Sequence, residues 1–269
     1  MSVHPSAIVD PRAELAAEVE VGPFSIIDDE VVIGPRCRIA GHAWLGGATR
    51  LDEDVVVGHG AVIGAAAQDL SFDPDTPSGV RIGPRSTIRE YATIHRATRA
   101  DAATIVGADC FIMAHAHLAH DVVLGDKVVV CNNSLVPGHV VVGDRVFISG
   151  NVVIHQFCRI GCGAMIGGAA AVGQDVPPWT TIIGRSQVRA LNVVGMRRAG
   201  LDAATRLEIR TLYRAIFAEH GDVEHARALL AEASDRPAVA AIRAFYAGPT
   251  RRGFCWPPRT GFEAADGEA

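Results

Sequence analysis

Aliphatic side chains recur at every sixth position through most of this chain. One series of eleven aliphatic residues runs from Val3 to Ile63. A second series runs from Ile82 to Val172, and fifteen of its sixteen positions are Ile, Leu or Val. Neither the 3.6-residue period of a helix nor the two-residue alternation of an ordinary strand explains a strict period of six. The pattern therefore predicts short strands, each followed by a sharp bend.

Three such hexapeptide units make one triangular coil with aliphatic side chains stacked inside, as in the hexapeptide-repeat parallel β-helix. Gly22, Gly34 and Gly125 each follow an aliphatic position, and we expect glycine to give the bends their backbone freedom. Coils stack at about 4.8 Å, so about ten coils form a prism roughly 45–50 Å long. The expected fold is mainly β, a left-handed parallel β-helix followed by a small α-helical C-terminal domain.

Interruptions of the period predict where chain leaves the prism. The two series differ in phase by one residue, and the break at 64–81 contains prolines and acidic residues. We expect a looped-out segment there. We also expect a smaller excursion at 98–104, where Ala100 replaces a larger aliphatic residue but the six-residue spacing is kept. After residue 176 the period becomes helical, with Asp202 as a helix N-cap and Gly221 at the helix end.

The resulting domain prediction has three parts. Residues 1–184 form the β-helix, residues 185–254 a helical domain and residues 255–269 a polar tail. Helices are expected from Asp202 to Gly221, near 222–233 and at 237–247.

Composition excludes several classes of protein. The formal net charge is −5, with 24 Arg and one Lys, and residues 185–252 carry 12 Arg against 7 acidic residues. This basic segment suits an acidic protein partner but is too weakly charged to indicate nucleic acid. No run of apolar residues is long enough for a membrane span. The six cysteines lack CxxC pairs, so we expect reduced thiols and a cytoplasmic protein.

Histidines cluster on successive coils. Positions separated by three hexapeptides stack directly, so His120 and Asp121 lie near His139, with His117 on the same coil and His155 on the coil after. Histidine suits general-base catalysis at neutral pH, and Asp121 would fix its tautomer. The bend at Gly138 would point a backbone N–H at an oxyanion.

Two other interpretations of these histidines remain open. Single histidines on such a prism are often surface or subunit-contact residues. His115 and His120, with a third imidazole from a neighbouring subunit, would alternatively form a zinc site like that of gamma-class carbonic anhydrases. The long helical segment argues against this class, and we predict no metal site.

Seven motifs then point to a family. They are AQDLSF (67–72), IREYATIHRAT (88–98), AHAHLAHD (114–121), NNSLVPGHV (132–140), VIHQFCRIG (153–161), GQDVPPW (173–179) and LNVVGMRRAGL (191–201). In order and spacing the chain resembles, to about residue 252, the acyl-acyl carrier protein:UDP-N-acetylglucosamine O-acyltransferases of lipid A biosynthesis. The resemblance implies a homotrimer with active sites between neighbouring prisms, acyl carrier protein (ACP) as donor and no cofactor.

The resemblance also implies a role for individual residues. His120 is the general base that deprotonates the glucosamine 3-hydroxyl, Asp121 is its partner, and Gly138 supplies the oxyanion-stabilising amide. Gly168 lies where the family sets acyl-chain length, and a glycine implies a longer 3-hydroxyacyl chain. The residues implied in binding the sugar nucleotide are Gln68, Asp69, His117, His139, His155, Gln156, Asn192 and Arg198, of which the last two hold its diphosphate.

The chain departs from the family at Ser71, which replaces a lysine, at Val194, which replaces a glutamate, and at Ala199, which replaces an arginine. These positions concern nucleotide and carrier recognition rather than His120. The alternatives therefore include a 3-amino sugar nucleotide as acceptor, a short-chain coenzyme A donor, and a non-catalytic solenoid in which His120 has no function.

Overall fold

The computed structural model describes residues 1–258 and shows a left-handed parallel β-helix of about ten coils, followed by four helices. The strands, numbered in chain order, form three sheets, one on each face of the prism. The first sheet contains β1 (Ser2–Val3), β4 (Glu20–Val21), β7 (Arg38–Ile39), β10 (Val56–Val57), β13 (Thr87–Ile88), β16 (Phe111–Ile112), β19 (Val129–Val130), β22 (Phe147–Ile148), β25 (Met165–Ile166), β27 (Thr180–Ile183) and β28 (Gln187–Leu191).

The other two faces are built in the same way. The second sheet contains β2 (Ile8–Val9), β5 (Ile26–Ile27), β8 (Trp44–Leu45), β11 (Val62–Ala65), β14 (Thr93–His95), β17 (His117–Leu118), β20 (Leu135–Val136), β23 (Val153–Ile154) and β26 (Ala171–Val172). The third contains β3 (Glu14–Leu15), β6 (Val32–Ile33), β9 (Arg50–Leu51), β12 (Gly79–Ile82), β15 (Ala103–Val106), β18 (Val123–Leu124), β21 (Val141–Val142) and β24 (Arg159–Ile160). All their ladders are parallel except that of β27 with β28.

The predicted aliphatic series forms the core of the prism. Ile39 pairs with Val21 on one side and Val57 on the other, at the expected spacing of three hexapeptides, and all three are buried. A second inward position lies at each corner and takes smaller residues such as Ser25 and Cys37. Several cysteines are thus small core residues, and all six are free.

Glycine has a different role in the bends from the one expected. The left-handed corner residues are mostly not glycine: Asp121 and His42, for example, have φ near +60°, and such residues recur every six positions. Gly22 and Gly34 do not have positive φ. A Cβ on Gly22 would lie 2.7 Å from the backbone nitrogen of Gly41 in the next coil. The expectation of backbone freedom is wrong there, because close approach of successive coils is what requires glycine.

Two insertions interrupt the stacking. An uninterrupted coil would pair Val56 with Pro74, but Val56 pairs with Thr87, so the first loop adds two hexapeptides and one further residue. Thr87 in turn pairs with Phe111 instead of Ile105, so the second excursion adds one hexapeptide. The single further residue shifts the phase by one, whereas a whole hexapeptide leaves it intact. These lengths explain both the phase break after the first series and the uninterrupted count through the second.

Four helices follow the prism: α1 (Val193–Arg198), α2 (Ala203–Ala218), α3 (Val223–Ala231) and α4 (Pro237–Ala247). Asp202 caps α2 by accepting a hydrogen bond from the Thr205 amide at 2.7 Å. The buried Tyr213 hydroxyl donates to the Pro178 carbonyl oxygen at 2.7 Å, which ties α2 to the end of the prism. Within residues 1–258, no helix is long and apolar enough to cross a membrane.

The chain returns to the prism after α4. Phe254 forms a bridge with Asp175, Trp256 forms one with Gln187, and Cys255 is fully buried. The expectation that a polar tail begins at Cys255 is therefore wrong for these first residues, because they pair with the last coils. The rest of that expectation, for 259–269, lies outside the described residues.

Candidate active site

His120 and Asp121 form a hydrogen-bonded pair at the corner between the second and third sheets. Nδ1 of His120 lies 2.8 Å from Oδ2 of Asp121, and His120 is only 8% exposed. Asp121 has φ of 59°, which turns the chain between β17 and β18 and brings its carboxylate back to the preceding imidazole. Because an ionised carboxylate only accepts hydrogen bonds, the proton lies on Nδ1 and Nε2 retains the lone pair of a base.

Thr98 holds the carboxylate of Asp121, and Thr104 holds its backbone amide. The Thr98 hydroxyl donates to Oδ2 of Asp121 at 2.7 Å, and the Thr98 amide lies 3.2 Å from the same oxygen. The Asp121 amide donates to the Thr104 hydroxyl at 2.9 Å. Burial by itself would raise the pKa of Asp121, but the hydrogen bonds from His120 and Thr98 outweigh it, and the pKa is lowered. Asp121 is therefore ionised at neutral pH.

Gly138 approaches the His120 ring from the next coil. A Cβ at residue 138 would lie 2.6 Å from Cε1 and 2.8 Å from Nε2 of His120, closer than side chains tolerate. Among residues 1–258, the Gly138 amide has no backbone acceptor. Gly138 therefore lies against the ring of the base, and its N–H, without a backbone partner, is the kind of group that can stabilise an oxyanion.

His139 belongs to a column of rings at this corner. Its ring meets that of His120 edge-on at a centroid distance of 5.2 Å and stacks on Phe157 at 4.7 Å. Its Nε2 lies 3.9 Å from Oδ2 of Asp121. Burial lowers the pKa of His139 despite the opposing effect of Asp121, so its imidazole is neutral at neutral pH.

A second imidazole pair lies behind His120. His117 has Nδ1 2.7 Å from the Thr93 hydroxyl, and its ring meets that of His95 edge-on at 4.9 Å. Burial lowers the pKa of His117, and it lowers the pKa of His95 to about 4 with help from the charges of His117 and His120. Both rings are therefore neutral at pH 7.

The first loop carries Gln68 and Asp69 towards this corner. Both are exposed, and Asp69 accepts hydrogen bonds from the amide and hydroxyl of Ser71 at 2.8 and 2.7 Å. These bonds lower the pKa of Asp69, with smaller contributions from the charges of His120 and His139. Arg96 holds the loop, since its guanidinium donates to the Pro74 carbonyl oxygen at 2.6 Å.

Gln156 occupies the same corner one coil after Gly138, where it is exposed beside His155. Nδ1 of His155 lies 3.2 Å from the Gln156 carbonyl oxygen. The structure thus brings the predicted residues on the first loop and on three successive coils to one edge of the prism.

Asn192 and Arg198 lie elsewhere. They line a cleft of about 580 Å³ on the first sheet, with Lys127, Arg145 and Val194. The Asn192 side chain caps α1, accepting from the Gly195 amide at 2.9 Å and donating to the Gly163 carbonyl oxygen at 2.8 Å. A single chain does not bring these two residues to His120, which lies between the other two sheets.

The zinc pair considered from the sequence is not formed within the chain. His115 lies at the corner between the first and second sheets, where its ring stacks on Tyr91 at 5.3 Å. In the described part of the chain, His120, Asp121 and His139 have ligand-type atoms within 4.8 Å of one another. Within this trio Nδ1 of His120 is hydrogen-bonded to Asp121, and the His139 imidazole flanks the pair.

Comparison with known proteins places the chain in a family. The family described as "Udp N-acetylglucosamine O-acyltransferase; Domain 2" matches residues 175–255, and "Bacterial transferase hexapeptide (six repeats)" matches 103–138. The acyl-[acyl-carrier-protein]--UDP-N-acetylglucosamine O-acyltransferase of Herminiimonas arsenicoxydans is 40% identical over 232 residues, covering 86% of this chain and 88% of that protein. The Leptothrix cholodnii enzyme of the same name is 41% identical, covering 93% and 97%. This chain belongs to the UDP-N-acetylglucosamine O-acyltransferase family.

Solved structures of this acyltransferase family share the whole fold. The UDP-N-acetylglucosamine acyltransferase of Francisella novicida superposes with a TM-score of 0.91 at 30% identity, covering 99% of both chains. That of Bacteroides fragilis gives 0.88 at 34% identity, covering 94% of this chain and 99% of the other.

Of the three positions at which this acyltransferase departs from the family pattern, two lie apart from the base, and the third is on the loop beside it. Val194 is 55% exposed at the first-sheet cleft, and Ala199 lines the same cleft. Ser71 binds Asp69 on the exposed loop.

Gly168 lies at the corner between the first and second sheets, where an added Cβ would be 3.7 Å from the Gly150 carbonyl oxygen. Neither its φ nor the available space requires glycine there.

Sequence reasoning missed several side chains at the site: Thr98, Thr93, His95 and Phe157. Thr98 was accessible in principle. Counting back from Asp121 by three hexapeptides for the coil and one for the excursion reaches Ala97, the residue beside it. The length of the excursion was the missing quantity, because one whole hexapeptide leaves the phase of the repeat unchanged.

Proposed function

We propose that this enzyme transfers a 3-hydroxyacyl chain from acyl carrier protein to the 3-hydroxyl of the glucosamine ring of UDP-N-acetylglucosamine, the first step of lipid A synthesis. The observation that carries the chemistry is His120, which is hydrogen-bonded through Nδ1 to Asp121 while Gly138 adjoins its Nε2. We place the reaction in the cytoplasm, in keeping with six free cysteines, and assign it no cofactor.

The proposed reaction is a direct displacement. Nε2 of His120 takes the proton of the sugar hydroxyl as its oxygen attacks the thioester carbonyl carbon, forming the new C–O bond. The Gly138 N–H stabilises the oxyanion of the tetrahedral intermediate, and Asp121 stabilises the imidazolium. When the C–S bond breaks, the thiolate takes the proton from His120, which returns the base to its neutral form.

The remaining predicted contacts complete the proposed substrate site. We assign Gln68, Asp69, His117, His139, His155 and Gln156 to the sugar nucleotide. These groups suit a hydroxylated sugar because imidazoles and amides supply hydrogen-bond donors and acceptors and the carboxylate of Asp69 supplies acceptors.

Asn192 and Arg198 would hold the diphosphate from a neighbouring subunit in a homotrimer. Two observations support this assembly. The second sheet exposes Leu135 and Val153, each 44% exposed, on successive coils. The first sheet exposes Phe147 beside the cleft that contains Arg198. In a closed ring, a heterologous contact brings the first sheet of one subunit against the second sheet of the next.

Mixed trimers test the shared site. His120→Ala and Arg198→Ala each remove one half of it, and we expect both homotrimers to be nearly inactive. Co-refolded in equal amounts, they should recover about one quarter of the wild-type sites, because each site then draws its two halves independently from neighbouring subunits. No recovery in a mixture that contains hybrid trimers would contradict the shared site.

Acyl-chain length is assigned to Gly168. Since an added Cβ there would make one ordinary contact, 3.7 Å from the Gly150 carbonyl oxygen, the site has room for a side chain, and we propose that glycine leaves this room to a longer 3-hydroxyacyl chain. Gly168→Met should shift the preference of kcat/KM towards shorter acyl-ACP donors, with little change in the KM for the sugar nucleotide. An unchanged length preference would contradict the assignment.

The basic C-terminal segment is the proposed docking surface for the acidic carrier protein. Charge reversal at Arg210 and Arg214 of α2 should raise the KM for acyl-ACP and leave that for UDP-N-acetylglucosamine unchanged. Arg50→Glu, on the third sheet, is the matched control. An unchanged KM for acyl-ACP would show that the carrier docks elsewhere.

The central experiment is a product assay. Purified protein is incubated with UDP-N-acetylglucosamine and 3-hydroxyacyl-ACP, and the products are identified by mass spectrometry, with His120→Ala alongside. We expect an acylated sugar nucleotide from the wild type only. Product from the 3-amino sugar nucleotide alone, or with acetyl-coenzyme A alone, would overturn the proposed acceptor or donor. Zinc analysis of an inactive, folded protein would test the metalloenzyme alternative.

A further inference from the structure

A second cleft opens beside the His120–Asp121 pair and has no part in the mechanism above. It has a volume of about 440 Å³, lies on the third sheet and is bordered by Asp121 and His139. Val123 and Val141 form an apolar part of its lining. The cleft thus adjoins the catalytic corner on its third-sheet side. The first loop and the second sheet, which are assigned to the sugar nucleotide, lie on the other side of that corner.

Two arginines from different elements line this cleft. Arg99 lies on the one-hexapeptide excursion before β15, and Arg251 lies in the segment that follows α4. The guanidinium of Arg251 lies over the Phe157 ring, 4.6 Å from its centroid. The Phe157 ring in turn stacks on that of His139. Stacking on an aromatic ring holds a guanidinium in place while its N–H groups stay available to an anion.

Neither arginine is neutralised by a neighbouring carboxylate. Within residues 1–258, no acidic oxygen lies within 4.0 Å of the guanidinium of Arg99 or Arg251, whereas Arg36 and Arg85 each pair with an aspartate at 2.7 Å. The third arginine of the cleft, Arg159, is bonded to Asp175 at 2.8 Å. Both unpaired charges are close enough to contribute, after burial, to the lowered pKa of His139.

We infer that Arg99 and Arg251 bind a phosphate group of a substrate in this cleft. The inference rests on the proposed function, because it assigns the cleft to a substrate of that reaction. A guanidinium binds phosphate through two parallel N–H···O bonds. Asp121 also borders the cleft, but its carboxylate is hydrogen-bonded to His120 and Thr98, and its ion-pair contacts within residues 1–258 are with His120 and His139 and not with either arginine.

The donor is the better source of this phosphate. Acyl carrier proteins present their thioester on a phosphodiester-linked pantetheine arm, whose methylated carbon chain suits the apolar surface of Val123 and Val141. The cleft also lies beside Pro249 and Arg251, at the junction with the basic helical domain proposed to dock the carrier. The second source is the diphosphate of the sugar nucleotide, and kinetics separates the two.

The experiment compares a donor with and without its phosphate. Rates are measured with 3-hydroxyacyl-phosphopantetheine and 3-hydroxyacyl-pantetheine for the wild type, Arg99→Gln, Arg251→Gln and the control Arg50→Gln, whose side chain is exposed on the same sheet. We expect wild type and control to prefer the phosphorylated donor by about tenfold or more in kcat/KM, a typical value for a charge-assisted hydrogen bond. The preference should fall towards unity in both cleft variants.

A rise in the KM for UDP-N-acetylglucosamine with an unchanged donor preference would assign the phosphate to the sugar nucleotide and overturn the donor assignment. Unchanged values for both substrates would overturn the inference altogether.

A binding measurement separates this inference from the proposed function. Phosphopantetheine, used as the probe in calorimetry, should bind the wild type and Arg50→Gln but bind Arg251→Gln more weakly, and unphosphorylated pantetheine should show no such difference. Binding of this kind by a wild type that forms no product would leave the cleft assignment standing while the reaction fails. Product formation with equal phosphopantetheine binding by all variants would overturn the cleft assignment alone.

Discussion

Two corners of the prism carry columns of stacked rings, and the two columns differ in the exposure and hydrogen bonding of their histidines. The column between the first and second sheets is exposed and contains Phe24, His42, His59, Tyr91 and His115, with centroid distances from 5.0 to 5.7 Å. The column between the second and third sheets contains His120, His139 and Phe157. Most of these rings lie three positions after an inward-facing aliphatic residue, at the left-handed corner, whereas His59 and His120 lie one position earlier.

His59 and His120 isolate the difference. Each lies two positions after an inward-facing aliphatic residue, so the repeat gives them equivalent backbone positions. His59 is exposed, whereas His120 is buried and bonded to Asp121. What distinguishes the second corner is the excursion that brings Thr98 to Asp121, together with the approach of Gly138. The repeat by itself is thus enough to cluster histidines. The contacts that suit His120 to acid–base chemistry come from Asp121, from the excursion that carries Thr98 and from Gly138.

The largest expected effect contrasts these two histidines. His120→Ala should lower kcat by about 10²–10⁴-fold, the usual contribution of a general base. His59→Ala, at the equivalent repeat position, should leave kcat unchanged. Initial rates of acyl transfer at saturating substrates measure both. Equal losses in the two variants would mean that the exposed column takes part in the reaction, and a nearly active His120→Ala would exclude His120 as the base.

A smaller loss is expected when Gly138 gains a methyl group. In Gly138→Ala the new Cβ would fall 2.6 Å from Cε1 of His120, so the imidazole must move. A displacement of about 1 Å at a reacting group costs up to about 10²-fold in rate, and we expect kcat to fall by about 10- to 100-fold.

Gly173→Ala is the matched control for this change, because its φ is not left-handed and its added Cβ would lie 3.8 Å from Oγ of Ser186, an ordinary contact. It should retain the wild-type kcat with a preferred donor. A wild-type rate for folded Gly138→Ala would contradict the close approach of Gly138 to the base.

The sequence reaches the pairing of His120, Asp121 and His139 because a coil of three hexapeptides converts separation along the chain into proximity. The contact of Thr98 with Asp121 could not be predicted, because an insertion of one whole hexapeptide leaves the six-residue periodicity unchanged. The reason for the glycines was also misjudged. The regular geometry of the repeat requires left-handed φ three positions after each inward aliphatic, where Asp121 and His139 lie, while Gly22 is required by contact with the next coil.

The faces of the prism explain the other gap. Asn192 and Arg198 entered the predicted site through family resemblance, and in one chain they lie on a different sheet from His120. Periodicity describes a single coil and carries no information about which face meets a neighbouring subunit. The mixed-trimer experiment addresses this link between the two halves of the proposed site.

The next expected effect concerns pH and the buried imidazole behind His120. The pKa of His95 is about 4 in the folded chain, because of burial first and the charges of His117 and His120 second, against an ordinary value of 6.5. As pH falls below 6.5 the unfolded chain binds this proton first, so stability is lost progressively until about pH 4. Between pH 7 and pH 5 the loss should be about 2 kcal/mol in the free energy of unfolding.

His95→Phe removes this titration and keeps a ring against His117, so it should reduce the difference between urea unfolding at pH 7 and at pH 5. Phe24→Ala, at the exposed column, should leave that difference unchanged, because it removes no titratable group. A pH dependence that is the same in His95→Phe as in the wild type would mean that His95 titrates near its ordinary pKa.

The smallest expected effect comes from breaking the exposed column itself. Tyr91 contacts His59 at a centroid distance of 5.7 Å and His115 at 5.3 Å, and it is 50% exposed. Tyr91→Ala should therefore cost about 1 kcal/mol in the free energy of unfolding, the usual value for lost aromatic pairs, without changing kcat. Phe157→Ala removes the corresponding ring of the other column, which stacks on His139, and should raise the KM for the sugar nucleotide. A lower kcat in Tyr91→Ala would mean that the exposed column also takes part in the reaction. Position in the repeat, rather than the insertions that interrupt it, would then govern function.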